Sequence, residues 1–189
     1  MSESKKEFLT FEIGTEEYAV EILRVQEIRG WQEPSPLPSV PSFVKGVVDL
    51  RGTVVPIIDL REKFNLKVSY DDTTVVIVVH VITSLGERIA GLVVDAVSDV
   101  HTFDMSKLQP APDISSSLQN QFVVGLGTIE DQMGLGRGEQ QALENSVERQ
   151  SHGQMVILID IDKLVADGLI EVIIGGDDSE SLSVPTGNG

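Results

Sequence analysis

The sequence contains no cysteine and few aromatic residues, which make up 5% of its 189 residues. Without cysteine the chain can form no disulfide, thiolate metal site or cysteine nucleophile, a composition typical of a reducing compartment. Hydrophobic residues still reach 41%, so the core must consist mainly of Val, Ile and Leu. Because branched side chains suit half-buried strands, we expect a mainly β fold.

Basic residues are also scarce, with 14 Lys and Arg against 30 Asp and Glu and a formal net charge of −16. Such a surface repels the phosphates of nucleic acids and anionic lipid head groups, so we expect no nucleic-acid partner. The longest apolar run, residues 75–82, is interrupted by His80 and is too short to cross a bilayer. With no signal-peptide pattern at the N-terminus, the chain is predicted to be cytoplasmic, without direct membrane insertion.

The motifs of common catalytic and cofactor sites are absent from the sequence. It has no phosphate-binding loop of the G-x-x-x-x-G-K-[ST] type and no G-x-S-x-G nucleophile motif. The three histidines, His80, His101 and His152, are far apart and form no metal-binding pattern. Acidic pairs such as Asp71 and Asp72 are typical of solvated turns. We therefore predict a protein that is not an enzyme, has no cofactor or metal, and acts by binding.

Alternating apolar residues predict a series of short strands. The predicted strands cover residues 8–13, 18–22, 44–50, 53–58, 73–83, 87–95, 97–103, 122–129 and 155–159. Residues 25–41 carry four prolines near their end and are predicted as an ordered loop. Helical turns are expected at 60–64 and 105–112. Disorder is expected at both termini, residues 1–6 and 176–189, and residues 131–154 are polar and Gly-rich and predict an exposed loop.

The segment from Phe43 to Phe64, FVKGVVDLRGTVVPIIDLREKF, is the most informative. Arg51 and Gly52 predict a tight turn between two strands, and Pro56 indicates a sheet edge or a bulge. Asp59 followed by Glu62 is the spacing of a capping box at a short helix. Residues 157–165, ILIDIDKLV, repeat the pattern of residues 56–64, which favours two similar small barrels.

Several blocks occur in an order that resembles the CheW family of bacterial chemotaxis coupling proteins. They include EEYAVEILRVQEIRGW, the segment above, AGLVVDAVSDV and VILIDIDKL. This chain has Asp49 where the family commonly has asparagine, and its loop at 131–154 is longer than usual. The resemblance covers about residues 7–170 and implies one CheW-like domain, predicted at residues 7–175, of two intertwined, five-stranded SH3-like β-barrels with a few short helices.

The resemblance also implies a function and partners. The chain would be a non-catalytic adaptor that couples chemoreceptors, the methyl-accepting chemotaxis proteins, to the histidine kinase CheA in membrane-associated receptor arrays. A groove between the barrels would accept the cytoplasmic tip of a receptor, and the barrel ends would contact the regulatory domain of CheA.

Site residues follow from the resemblance by motif match. The receptor-binding candidates are apolar or small residues, for which core packing is the alternative: Val25, Ile28, Val75, Gly91 and Val100. The candidates for kinase binding or for bracing the groove are Glu27, Trp31, Gly46, Arg51 and Gly52. Glu27 and Arg51 are hypothesised to pair, with two independent surface charges as the alternative. Trp31 either anchors the kinase or covers a barrel.

Gly46 and Gly52 predict positive φ angles or a close backbone approach. Two other classes of function remain as alternatives. One is a small-molecule-binding barrel or an enzyme with its pocket between the barrels. The other is a sensory adaptor with an additional receiver domain, for which no further domain is expected after residue 175.

Overall fold

The computed structural model describes residues 4–84, 86–110, 122–129 and 153–165. In these ranges the chain forms ten strands, two short α-helices and 3₁₀ turns. The strands are β1 Lys5–Ile13, β2 Glu16–Glu21, β3 Val25–Gly30, β4 Val44–Leu50, β5 Thr53–Asp59, β6 Val75–Thr83, β7 Gly86–Val94, β8 Ala96–Asp104, β9 Val123–Ile129 and β10 Gln154–Ile159. The helices are α1 Leu60–Lys63 and α2 Ile161–Val165, and the 3₁₀ turns are Ile22–Arg24 and Met105–Lys107.

The strands form two five-stranded sheets with the same pairing pattern. The first sheet has the order β8-β1-β2-β10-β9, and the second has the order β3-β6-β7-β5-β4. In each sheet an antiparallel hairpin is central, and its second strand pairs in parallel with the strand that leads into a helix. The second sheet is inserted between β2 and β8 of the first, so the two are intertwined. This confirms the mainly β, SH3-like fold, although among the described residues the edge strands of each sheet are not joined into a closed barrel.

The repeated strand–helix units occupy equivalent places in the two sheets. Asp59 and Asp160 each cap the following helix, accepting a hydrogen bond at 3.0 Å from the N–H two residues later. Each also donates its own N–H to the carbonyl oxygen of a phenylalanine, Phe43 at 2.8 Å and Phe122 at 2.7 Å. The sequence repeat therefore marks a structural repeat.

Apolar side chains form three clusters. The shared core lies between the two sheets and contains Leu9, Phe11, Ile13, Val20, Ile58, Leu60, Ile77, Val79, Val81, Ala90, Leu92, Val94, Phe122, Ile159, Ile161, Leu164 and Val165. The second-sheet core contains Leu50, Val55, Ile57, Val76, Val78 and Val93. The first-sheet core contains Phe8, Ala19, Phe103, Val156 and Leu158. Each fully buried Val, Leu or Ile contributes about 1.5–3 kcal/mol, so the shared core supplies most of the stabilisation between the sheets.

The prediction that residues 25–41 form a loop is wrong for Val25–Gly30, which forms the edge strand β3. Its register against β6 shifts between Val25 and Glu27. This bulge breaks the alternation of apolar residues and hides the strand in the sequence. The proline-containing remainder is a loop, and its Ser35 pairs with Val47 at the outer edge of β4.

The prediction that Pro56 marks a sheet edge is wrong, because β5 lies between β7 and β4. Pro56 faces Val47, whose N–H and C=O both bond to Ser35 on the other side. The missing N–H of Pro56 therefore interrupts no bond to β4, and pairing with β7 begins only at Ile57. The predicted bulge lies instead in β4, between Val44 and Gly46.

Other predicted boundaries changed in smaller ways. β1 begins at Lys5, inside the segment predicted to be disordered. The helical turn after β8 is confirmed as a 3₁₀ turn over residues 105–107. The capping box forms only in part, because the N–H of Asp59 is taken by Phe43 and Glu62 pairs with Lys45. The predictions for residues 1–3, 111–112, 130–152 and 166–189 lie outside the described residues. In the part of the chain that is described, no helix is long and apolar enough to cross a membrane.

Candidate functional site

The edge strands β3 and β8 carry matching bulges and present matching apolar pairs. The pair on β3 is Val25 and Ile28, and the pair on β8 is Val97 and Val100. Their cross-strand partners all belong to the shared core: Val79, Ile77, Phe11 and Leu9, in that order. Because directly paired residues point to the same face of a sheet, all four side chains lie on the shared-core side.

The two members of each pair differ in burial. Val25 and Val97 are partly buried and pack against the shared core. Ile28 and Val100 are 46% and 43% exposed. Val75, on β6 opposite Gly30, also packs against this core. The structure therefore gathers four of the five predicted receptor residues along the borders of one apolar core, and Val97, which the sequence prediction did not include, lies beside the same core.

Gly91, the fifth predicted receptor residue, lies on the opposite face of the second sheet and is buried. A Cβ atom placed on it would lie 2.6 Å from Ile57 Cδ1 and 2.9 Å from Val76 Cγ1. Its position is required for packing of the second-sheet core, which is the alternative that the sequence left open.

The turn predicted at Arg51 and Gly52 is a two-residue hairpin loop between β4 and β5. Both residues have positive φ angles, 54° and 86°, as a type I′ turn requires. The Gly52 N–H donates to Asp49 Oδ1 at 2.8 Å. Arg51 approaches Glu27 through one nitrogen, with Nη2 3.8 Å from Oε2, and its side chain is 86% exposed. The Glu27 side chain is 26% exposed, so Arg51 and Glu27 form a solvent-accessible ion pair and not a fully buried one.

We expect a double-mutant cycle of Glu27→Gln and Arg51→Gln to give a coupling energy below about 1 kcal/mol, because exposed ion pairs are weakened by solvent and by side-chain entropy. Urea unfolding of the unmodified chain, the two single variants and the double variant measures this coupling energy. A coupling of about 3 kcal/mol or more would contradict the exposed geometry.

Gly46 permits a close approach between β4 and the proline-rich loop. Its φ angle is 135°, and an added Cβ atom would lie 1.9 Å from the carbonyl oxygen of Ser35. The predicted positive φ angles of Gly46 and Gly52 are both confirmed. At Gly46 the approaching backbone belongs to the chain itself, so this glycine is explained without a partner.

Trp31 packs over the second sheet. Its ring stacks on Tyr70 with a centroid separation of 4.1 Å, and it contacts the second-sheet core. The main-chain N–H of Trp31 donates to the carbonyl oxygen of Thr74. The contacts favour the covering role left open by the sequence, and a contact of Trp31 with the kinase stays a prediction.

Beneath Trp31 lies a buried ion pair that the sequence prediction missed. Arg61 binds both carboxylate oxygens of Asp59 at 3.0 and 2.9 Å, and the two side chains are 2% and 0% exposed. Tyr70 donates its hydroxyl to Asp59 Oδ2 at 3.1 Å. Burial, followed by the negative charge of Asp59, raises the pKa of Tyr70 to about 12. Tyr70 therefore remains a neutral hydrogen-bond donor at physiological pH.

Arg61 also connects the two sheets. Its Nη1 donates to Asp95 Oδ1 at 3.1 Å, and Asp95 Oδ2 accepts from the Gly14 N–H in the β1–β2 turn at 2.7 Å. Burial alone lowers the pKa of Arg61, but hydrogen bonds to Asp59 and Asp95 raise it above its ordinary value. The guanidinium therefore stays charged and fixes α1 to the start of β8.

The described residues offer little support for a catalytic or small-molecule site. None of their His, Asp and Glu side chains group in threes or more so as to hold a metal ion. An open groove lies between β3 and β4. It is lined by Arg29, Gly30, Gln32, Val48, Leu50, Ile57, Val76 and Val78. Only two of these side chains are polar, and neither is an acid, a histidine or a nucleophile, so the lining does not favour catalysis.

Comparisons with known proteins agree with this architecture. The family model of the CheW-like domain matches residues 7–168. The chemotaxis protein CheW of Klebsiella aerogenes is 42% identical over 162 residues, which cover 85% of this chain and 82% of that protein. The one from Rhizobium meliloti is 40% identical over 128 residues, covering 68% of this chain and 81% of that protein. The crystal structure of the scaffolding protein TtCheW from Thermoanaerobacter tengcongensis superposes with a TM-score of 0.63 at 26% identity, covering 82% of this chain and 88% of that chain.

Proposed function

This chain belongs to the CheW-like family, and from that premise we propose that it couples the cytoplasmic tips of chemoreceptors to the regulatory domain of the histidine kinase CheA. It is a chemotaxis coupling adaptor, in line with its relatives among chemotaxis and scaffolding proteins. Its role requires no turnover of its own. It joins the receptor array at the membrane through its protein partners.

The single observation that carries the receptor part is the matched display of apolar side chains by β3 and β8. Ile28 and Val100 are each nearly half exposed on edge strands that border one core. An amphipathic helical hairpin buries its apolar face in such a groove through residues one turn apart. We assign the receptor tip to the apolar surface that these two edge strands present on the shared-core side, with Val25, Val75 and Val97 packed beneath it; this surface is called the receptor groove.

The kinase part rests on the surface around the β4–β5 turn. Arg51 is strongly exposed, and the type I′ turn and the Asp49 hydrogen bond hold it in a fixed place. Glu27 lies beside it on β3. Rim charges of this kind contribute mainly to the rate and specificity of association. We therefore assign Arg51 and Glu27 to the surface that contacts the kinase. This surface lies on the other face of β3 from Ile28.

Replacing Ile28 or Val100 with lysine should weaken co-sedimentation with receptor arrays at least about 10-fold, because an ammonium group in an apolar groove is left unpaired. Val124→Lys is the matched control, since Val124 is also 46% exposed but lies on β9, at the opposite edge of the first sheet. Sedimentation with reconstituted receptor fragments and CheA measures binding, and kinase autophosphorylation measures coupling.

The unmodified chain is expected to co-sediment and to change autophosphorylation. Absence of both effects would contradict the coupling function. An equal loss for Val124→Lys and Ile28→Lys would retain the function but place the receptor surface elsewhere.

A further inference from the structure

Thr10 is a fully buried threonine in the middle of β1, with 0% of its surface exposed. Its hydroxyl makes two hydrogen bonds to one residue of the neighbouring edge strand β8. Oγ1 donates to the carbonyl oxygen of Asp99 at 2.9 Å and accepts from the Asp99 N–H at 3.1 Å. A single side chain thus satisfies both main-chain groups of Asp99.

The hydrogen bonds of the Thr10 hydroxyl take the place of main-chain pairing that is missing between β1 and β8. β1 pairs Leu9 with Val100 and Phe11 with Val97 of β8, but Thr10 between them has no partner on β8. The bulge of β8 therefore turns the main chain of Asp99 away from its normal partner, and unpaired groups at a partly buried position are costly.

The second sheet shows the difference directly. There the residue equivalent to Thr10 is Val78, which lies between Ile77 and Val79 and pairs through its main chain with Glu27. That ladder is continuous at this step, so no hydroxyl is needed. Both β3 and β8 are bulged, but the pairing is interrupted only at the bulge of β8. The threonine lies opposite that bulge.

The Asp99 side chain completes the arrangement. Its Oδ1 accepts from the N–H of Val100 at 2.7 Å. Asp99 is thus held by Thr10 through its main chain and holds Val100 through its carboxylate. Val100, 43% exposed, is the outermost apolar residue that β8 offers to the groove.

We propose that Thr10 is a positioning residue of the receptor groove: its buried hydroxyl sets the bulge of β8 and thereby the direction in which Val100 faces the receptor. The inference rests on the proposed receptor-binding function. Thr10 itself touches no partner and acts through Asp99. A bulge fixed in advance reduces the ordering that binding would otherwise require.

Thr10→Val tests the proposal, because valine keeps the shape of threonine and removes both hydrogen bonds. Thr10→Ser keeps the hydroxyl, and Thr128→Val is the matched control at an exposed threonine of β9.

Amide hydrogen exchange at Asp99 and Val100 reports on the bulge, and separate titrations with a receptor fragment and with CheA report on binding. For Thr10→Val we expect hydrogen exchange at the Asp99 amide to become about 10-fold faster. We expect its affinity for the receptor fragment to fall by about 10-fold.

CheA affinity should stay within about 2-fold in all variants, and Thr10→Ser should restore both exchange protection and receptor affinity. Unchanged receptor affinity in Thr10→Val, with faster exchange at Asp99, would overturn the positioning role while leaving receptor coupling intact. Equal losses of receptor and CheA affinity would also overturn it, since they would indicate a general loss of structure. Failure of the unmodified chain to bind the receptor fragment would overturn the proposed function itself.

Discussion

Replacing Arg61 with leucine is expected to lower the free energy of unfolding by about 3–5 kcal/mol, because it leaves the carboxylate of Asp59 buried without its counter-ion. Asp59 is 0% exposed and would keep only the hydroxyl of Tyr70 and the N–H of residue 61 as donors. The substitution also removes the hydrogen bond to Asp95, which connects α1 to the start of β8.

Arg24→Leu is the matched control for this prediction. Arg24 also binds a carboxylate through two nitrogens, at 3.0 and 2.7 Å from Asp162. Its side chain and that of Asp162 are 25% and 28% exposed, so solvent can compensate the lost charge and we expect a cost of about 1 kcal/mol. Urea unfolding of both variants measures the difference. Equal costs would show that burial of the Asp59 pair does not determine its contribution.

Adding Asp59→Asn to Arg61→Leu should recover part of the loss, because the neutral amide does not need a counter-ion. If the double variant is less stable than Arg61→Leu alone, then the helix cap and the Tyr70 contact contribute more than the charge pair. The same unfolding experiment distinguishes these outcomes.

The two arginines show how far the sequence could predict the site. The triplet Asp-Leu-Arg occurs at residues 49–51 and again at 59–61. The sequence prediction took Arg51, by motif match to the family, as the bracing residue. The structure buries Arg61 and exposes Arg51. Burial of Arg61 depends on Tyr70 and Asp95, which are distant in sequence and carry no local signal.

Alternating apolar residues in the sequence predicted the strands whose pairing is regular. The hairpin of β6 and β7 and the strand–helix repeats were predicted in this way and are confirmed. The prediction failed at β3, where a bulge changes the spacing from two residues to three. The same spacing occurs in β8, so comparing VQEI at residues 25–28 with VSDV at 97–100 could have revealed β3 and added Val97 to the groove.

Replacing Gly46 with alanine is expected to reduce stability by at least about 3 kcal/mol, combining backbone strain of about 1–3 kcal/mol with loss of the paired Ser35–Val47 hydrogen bonds. The φ angle of 135° is one that alanine rarely adopts. The added methyl group would also lie 1.9 Å from the Ser35 carbonyl oxygen. Ser35 must then move, which breaks its two 2.9 Å hydrogen bonds to Val47.

Two further alanine variants separate these causes. Gly52 has a φ angle of 86° but no atom within 4 Å of an added Cβ, so Gly52→Ala introduces strain without a collision and should cost about 1–2 kcal/mol. Gly125, which occupies the position equivalent to Gly46 in the first sheet, would place its Cβ 3.0 Å from the Gln109 carbonyl oxygen, a collision relieved by small shifts. We expect Gly125→Ala to cost about 1–3 kcal/mol.

If Gly46→Ala costs no more than Gly52→Ala in urea unfolding, the approach of Ser35 does not constrain β4, and the proline-rich loop can move without loss of stability.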